Sequence, residues 1–276
     1  MAIRKTNLTV EIPEPRFGVL ELGIVGLTPF ICERMSEKAK RELLYPSGRK
    51  TAADKAQNLK HDPVEEFRAS AYTLADTSAP TLLAFVPAAF KKAMALAAID
   101  VPGAAKAQTE RLVWVAGMRA PLWGPPRLLM SVTRAKDINK TPDIRTRAIL
   151  PAWAMTVTVQ FSEPVLTAQA VSNLLATAGH TVGVGGWRVE KGSGDYGQFR
   201  VCGTNDPELV SIMKSYGRTA QVKAMEEAIP YDEESAELFE WYVEEVKRRG
   251  RTSTPTNAKA PRKAAARAKQ QIEKVG

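Results

Sequence analysis

Strict alternation is clearest in MTVTVQF, residues 155 to 161, where Met155, Val157, Val159 and Phe161 point one way and Thr156, Thr158 and Gln160 the other. A period of two is that of a strand with one buried face. FGVLELGIVG, 17 to 26, sets Leu20, Leu22 and Ile24 against Glu21 and Gly23 and predicts a central strand. LLAFVPAAFKKAMALAAI, 82 to 99, reads as a short apolar strand, Pro87, and a helix with Phe90, Met94, Ala97 and Ala98 as its inward stripe. Lys91 and Lys92 lie off that stripe. LVWVA (112 to 116), RLLMSVT (127 to 133) and GQFRV (197 to 201) are further strands. TAQAVSNLLATAG, 167 to 179, predicts a helix capped by Thr167, buried along Val171, Leu174, Leu175 and Ala178, and stopped at Gly179.

Capping signals place four more helices. Ser36 opens one over 36 to 44, and Asp62 with Pro63 opens another that carries Phe67 and Tyr72. Asn205 or Asp206 caps a helix starting at Pro207, and Asp232 to Arg249 is a last helix with Leu238, Trp241, Tyr242 and Val246 as its stripe. Residues 45 to 62 and 101 to 111 lack an apolar period and read as excursion and linker. The elements divide the chain into an arm (1–16), an α+β core with insertions (17–203), C-terminal helices (204–249) and a basic flexible tail (250–276).

The stretch AGHTVGVGGWRVEKGSGDYGQFRV, 178 to 201, stands apart because it holds seven of the eighteen glycines. Such density implies positive φ angles or backbone that something approaches closely. Trp187, Arg188, Lys191, Tyr196, Phe199 and Arg200 are interleaved with the glycines, a mix suited to a polyanion that carries flat bases. The alternative is a ligand-free glycine-rich hairpin.

Charge sharpens this picture. The net charge of +9 is segregated: from Lys247 onward ten Lys or Arg face Glu273 alone, nine acids and no bases lie between Glu226 and Glu245, and residues 1 to 225 are again basic. Segregation favours a polyanionic partner for the body, with the acidic helix either solvated or masking a basic surface. Arg111, Arg119, Arg127, Arg134, Lys136, Lys140, Arg145 and Arg147 crowd one segment with Trp114 and Trp123 among them. That segment reads either as a clamp on a phosphate backbone or as a solvated loop. No apolar run of about 18 residues is present, so no membrane partner is expected, and the N-terminal residues lack a signal-peptide core, so the expected place is the cytoplasm.

Catalytic chemistry is not recognisable. Cys32 and Cys202 have no CxxC partner, His61 and His180 are isolated, and phosphate-loop, dinucleotide, zincin and nucleophile-elbow spacings are missing. A non-enzymatic binder without cofactor or metal is expected.

VPAAFKKAMALAA, 86 to 98, and GVGGWRVEKGSGDYGQF, 183 to 199, form a pair that resembles the repeat-associated RNA-binding (RAMP) superfamily, closest to the backbone subunits of CRISPR effector complexes or a stand-alone phage relative. The helix start lacks the glycine and serines of that family's first motif. The resemblance implies a modified ferredoxin-like (RRM-like) core with a glycine-rich hairpin. It also implies a subunit that coats single-stranded RNA or DNA, as a homo-oligomer or filament, without cutting it. The residues expected to serve are Arg188, Lys191, Arg200, Arg127, Arg134, Lys136, Lys140, Arg145, Arg147, Lys91 and Lys92 for phosphates, Trp187 and Tyr196 for bases, and Gly183, Gly185 and Gly186 for close backbone approach. A phage assembly protein forming protein-only oligomers and a ribonuclease of the same superfamily are the rival readings.

Overall fold

A computed structural model describes residues 14–35, 40, 43–45, 61–134, 142–192 and 194–249. Most of the helix expected over 36 to 44, Lys136, Lys140, most of the excursion and arm, and the basic tail lie outside these residues. Among the described residues the fold is mixed α and β, with seven α-helices and three antiparallel sheets.

The central sheet has the order β10-β1-β9-β5, from Phe199–Cys202, Arg16–Gly26, Ala154–Glu163 and Val113–Val115, with every neighbour antiparallel. One face carries Leu20, Leu22, Ile24, Met155, Val157, Val159, Phe161 and Val113, as the alternation requires. Helices α2 (Ala88–Ala97) and α4 (Ala168–Thr181) cover it and pack on each other. The predicted stripe of Phe90, Met94, Ala97 and Ala98 is wholly buried there. Helix α5 (Pro207–Ser215) lies on the opposite face, where a side chain at Gly23 would strike Leu209.

A second sheet runs β2-β8-β7, from Phe30–Ile31, Pro142–Leu150 and Arg127–Arg134. Helix α1 (Pro63–Ala69) packs on β7 and β8, and α7 (Glu233–Arg248) packs on β7. The outer edge of β7 is closed: Leu128 N–H donates to Ile229, Tyr231 N–H donates to Leu128, and Ser235 Oγ both accepts from Met130 N–H and donates to its carbonyl. The third sheet, β3-β4-β6 (Tyr72–Thr73, Leu83–Phe85, Ala120–Pro121), is held from α6 (Arg218–Glu227) by the buried Gln221. Its amide oxygen accepts from Leu82 and Leu83 N–H, each at 2.9 Å, and its nitrogen donates to the Leu122 and Gly124 carbonyls.

The three sheets meet around five rings. Phe30, Phe85, Phe90, Phe199 and Trp153 form a closed cycle with successive centroid distances of 4.9, 5.9, 5.3, 6.3 and 5.1 Å. Trp153 is fully buried and its indole N–H donates to the Thr28 carbonyl at 2.8 Å. Four caps are local and conform to residue type: Asp62, Thr167, Asp206 and Asp232 each accept a first-turn N–H, worth about 1 kcal/mol apiece.

Several expectations are corrected. The presumed linker contains a helix, α3 (Lys106–Leu112), which has no side-chain cap and buries Thr109. Tyr72 belongs to β3, because α1 ends where Ser70 Oγ turns to the Phe67 carbonyl and accepts from Ala148 N–H. Helix α4 runs past Gly179 to Thr181. Gly179 is instead where α4 meets the Phe199 backbone too closely for a side chain. On α7 the buried ring is Phe239, and Trp241 is 57% exposed. Helix α6 and strand β8 were not anticipated.

Gln221→Leu removes one side chain but strands four buried backbone groups. Urea unfolding is expected to show a loss of roughly 2–4 kcal/mol, the scale of unsatisfied buried polar groups; a loss below about 0.5 kcal/mol would contradict the clamp.

Candidate nucleic-acid interface

The glycine-rich stretch is not a hairpin. After α4, Gly183 takes φ +70° and its N–H returns to the Ala178 carbonyl at 2.9 Å, ending the helix. The chain then follows residues 27–31: Gly186 N–H donates to Ile31, Gly197 N–H to Pro29, and Leu27 N–H to Gln198. Gly185 has φ +87°, and a Cβ there would meet the Ile31 carbonyl and the Phe30 ring, each at 2.8 Å. A 3-10 turn, Val189–Lys191, and a single bridge between Arg188 and Tyr196 complete the loop. The strap explains the glycines by close approach to β2. The N–H groups of Gly183 and Gly186 are already used within the chain.

This path sets two rings on the outer face of the second sheet. Trp187, at φ +50°, and Tyr196 pack on Ile31, Leu129 and Ile149 with centroids 6.0 Å apart, and Tyr231 joins the same small cluster. The β7/β8 register pairs Arg127 with Ile149, Leu129 with Arg147 and Ser131 with Arg145. Directly opposed residues share a face, so Arg127, Ser131, Arg145 and Arg147 lie on the face that carries the rings. The basic hairpin and the glycine-rich loop, far apart in sequence, therefore build one surface. The interval-of-two pattern in Asp143, Arg145, Arg147 and Ile149 was a readable signal for it.

Arg147 is the most constrained of these cations. Its guanidinium lies 5.6 Å from the Trp187 centroid and one nitrogen sits 3.2 Å from Glu33. Nη1 is buried with no hydrogen-bond partner among the described residues, as is Ser131 Oγ one strand away. Burial lowers the Arg147 pKa, Glu33 opposes that shift, and neighbouring Arg145 adds to it.

The remaining candidates divide. Arg145 is more than half exposed and 3.4 Å from Asp143. Arg188 and Lys191 both reach Glu190, at 3.1 and 3.3 Å, so part of their charge is met locally. Arg134 is exposed but on the other face of β7, with Val132. Lys91 and Lys92 belong to α2, where the Lys91 ammonium lies over Trp114. Trp123 is buried.

Arg200 makes a different interaction from the one expected. Its guanidinium donates to both Asp206 oxygens, at 2.9 and 2.8 Å, and to Glu208 at 2.7 Å, tying β10 to the cap of α5. These bonds raise the Arg200 pKa and hold Asp206 down at about 2.

His61 bridges Glu66 at 2.8 Å and Asp143 at 3.1 Å, joining α1 to β8, while His180 is exposed in the last turn of α4. Neither cysteine is disulfide-bonded, and burial pushes the Cys32 thiol up to about 12, far from a nucleophile's range. Among the described residues no His, Cys, Asp or Glu cluster could hold a metal, and no helix is long and apolar enough to cross a membrane.

Because the folded Asp206 pKa lies below its ordinary 3.8, the pair's stabilisation is complete above about pH 4 and disappears as pH falls toward 2. Asp206→Asn keeps a capping side chain but loses the charge. The stability difference between wild type and variant, followed by thermal unfolding, is expected to be constant from pH 7 to about 4 and to shrink below it. Glu245, also held near 2 by Arg248 and Arg249, titrates in both proteins and cancels in that difference.

The sequence matches no protein-family model, and no curated protein is significantly similar to it.

Proposed function

We propose that the protein is a non-catalytic binder of single-stranded nucleic acid, RNA or DNA, working as a repeating subunit along the strand. The observation that carries this reading is the shared outer face of β7 and β8, which holds Arg127, Arg145 and Arg147 together with the Trp187 and Tyr196 rings, Arg147 lying against Trp187. Cations beside rings suit a chain of phosphates bearing flat bases. Among the described residues Arg127 makes no ion pair, and Arg145, though 3.4 Å from Asp143, is exposed, so both are placed to meet phosphates; Arg147 lies against Trp187. Arg200 leaves the set, since a phosphate would have to displace two carboxylates from it.

The core order supports the ferredoxin-like part of the proposal. Strand β1, helix α2, strands β5 and β9, helix α4 and strand β10 follow one another as βαββαβ in a sheet ordered β10-β1-β9-β5, the split arrangement of that fold. Helices α1 and α3, the second and third sheets and helices α5, α6 and α7 are additions to it.

One observation favours the assembly-protein reading: Trp241 is exposed on α7 among Glu237, Glu240 and Glu244. Oligomers that survive nuclease treatment and are broken by Trp241→Ala would support it.

Fluorescence anisotropy of a labelled single strand, followed from 50 to 200 mM salt, tests the main reading. Wild type is expected to bind with a steep salt dependence, and the Arg127→Ala/Arg145→Ala double variant to bind more weakly, with a log–log slope smaller by about 1.4 for two lost single-strand phosphate contacts. Absence of salt-sensitive binding by wild type would overturn it.

A further inference from the structure

The outer face of the central sheet carries a second set of groups, separate from the arginine-bordered face. Alternation along β1 sends Phe17, Val19 and Glu21 away from the core, and the register places Trp114 of β5 opposite Gln160 on that same side. Phe17 is 57% exposed, Val19 60% and Trp114 39%. Although β9 runs between their strands, the Phe17 and Trp114 rings lean together edge to face with centroids 5.7 Å apart. Beneath them β9 offers polar side chains: Ser162 is opposite Phe17, and Gln160 is opposite both Val19 and Trp114. The Lys91 ammonium lies 6.0 Å from the Trp114 centroid. At the far end of this face Leu209 of α5 packs over Gly23, so the covered half stops short of the rings.

Exposed apolar side chains mark a binding surface where they are contiguous, as the touching Phe17 and Trp114 rings are. Their setting argues against a second copy of the chain: the core of a protein interface is depleted in charge, and here Glu21, Gln160 and Ser162 lie on the same face beside the apolar residues. Their chemistry fits bases. Ring faces accept any base by stacking, the Gln160 amide and Ser162 hydroxyl can bond base edges, and Lys91 supplies a cation at the rim. Glu21, exposed on the same face, repels phosphates and directs a strand toward the Lys91 side.

We propose that the open half of the central sheet is a base-stacking platform for a single-stranded nucleic acid, with Phe17 and Trp114 as the stacking residues and Lys91 meeting an adjacent phosphate. The proposal rests on the single-strand binding reading but uses different residues, so the two can fail separately.

The test compares full-length wild type with the Phe17→Ala/Trp114→Ala variant on two labelled probes, oligo(dT) and an abasic strand of equal length that keeps the phosphates and lacks the bases. Wild type is expected to prefer oligo(dT) over the abasic strand by about tenfold or more. The variant is expected to lose that preference while its abasic affinity and salt slope are unchanged, which also shows that it is folded. Phe17→Tyr/Trp114→Phe, with rings retained, is expected to keep the preference. If wild type binds both probes and the alanine variant still discriminates, the platform is refuted and single-strand binding stands. If wild type binds neither, both proposals fall. A variant that changes sedimentation but not probe preference assigns the patch to subunit contacts and overturns the platform.

Discussion

Trp153 and the four phenylalanines around it are the constraint on which the rest of the molecule depends. Phe199 comes from β10, Phe90 from α2, Phe85 from β4 and Phe30 from β2, so each sheet enters the cycle through its own ring. Edge-to-face packing fixes orientation as well as distance. Trp153 adds a directional bond to Thr28, which fixes the turn between β1 and β2. That turn is the one the glycine-rich loop lies on. The positions of Trp187 and Tyr196 on the outer face are thus inherited from the aromatic centre through residues 27–31.

What could be read in the sequence was local. Asp62, Thr167, Asp206 and Asp232 announce helix starts because a cap needs only its own first turn. Phe90, Met94 and Ala97 announce a buried face because a helix repeats within a few residues. The misreadings fall where the deciding partner is remote. The helix at Lys106–Leu112 buries too little to print a stripe, and the choice between Phe239 and Trp241 on α7 is made by β7. The glycines at 185 and 186 signalled close approach, but the approaching group is Ile31 of the same chain. For the basic segment, sequence gave the residue types; the register divided them, placing Arg127, Arg145 and Arg147 on one face and Arg134 on the other.

The two surfaces differ in a way that affects what each can contribute. On the second sheet the rings are packed on Ile31, Leu129 and Ile149, and the exposed group is the Arg145 cation. On the central sheet the rings are accessible and a single lysine stands at the rim. A polyanion held by the first gains mostly from counterion release, and one held by the second mostly from contact with its bases. Salt and base content would therefore separate the two contributions.

The closed outer edge of β7 limits how copies of this chain could join. Residues 229–231 and Ser235 already occupy the outward main-chain groups of Leu128 and Met130, and on the opposite side of that sheet the glycine-rich loop bonds to Pro29 and Ile31. The second sheet is thus blocked against strand addition along Leu128–Met130 on one edge and along Phe30–Ile31 on the other. Copies aligned on one polymer that met along these segments would do so through side chains, so that their spacing would follow the shape of the subunit and not a ladder of backbone hydrogen bonds there.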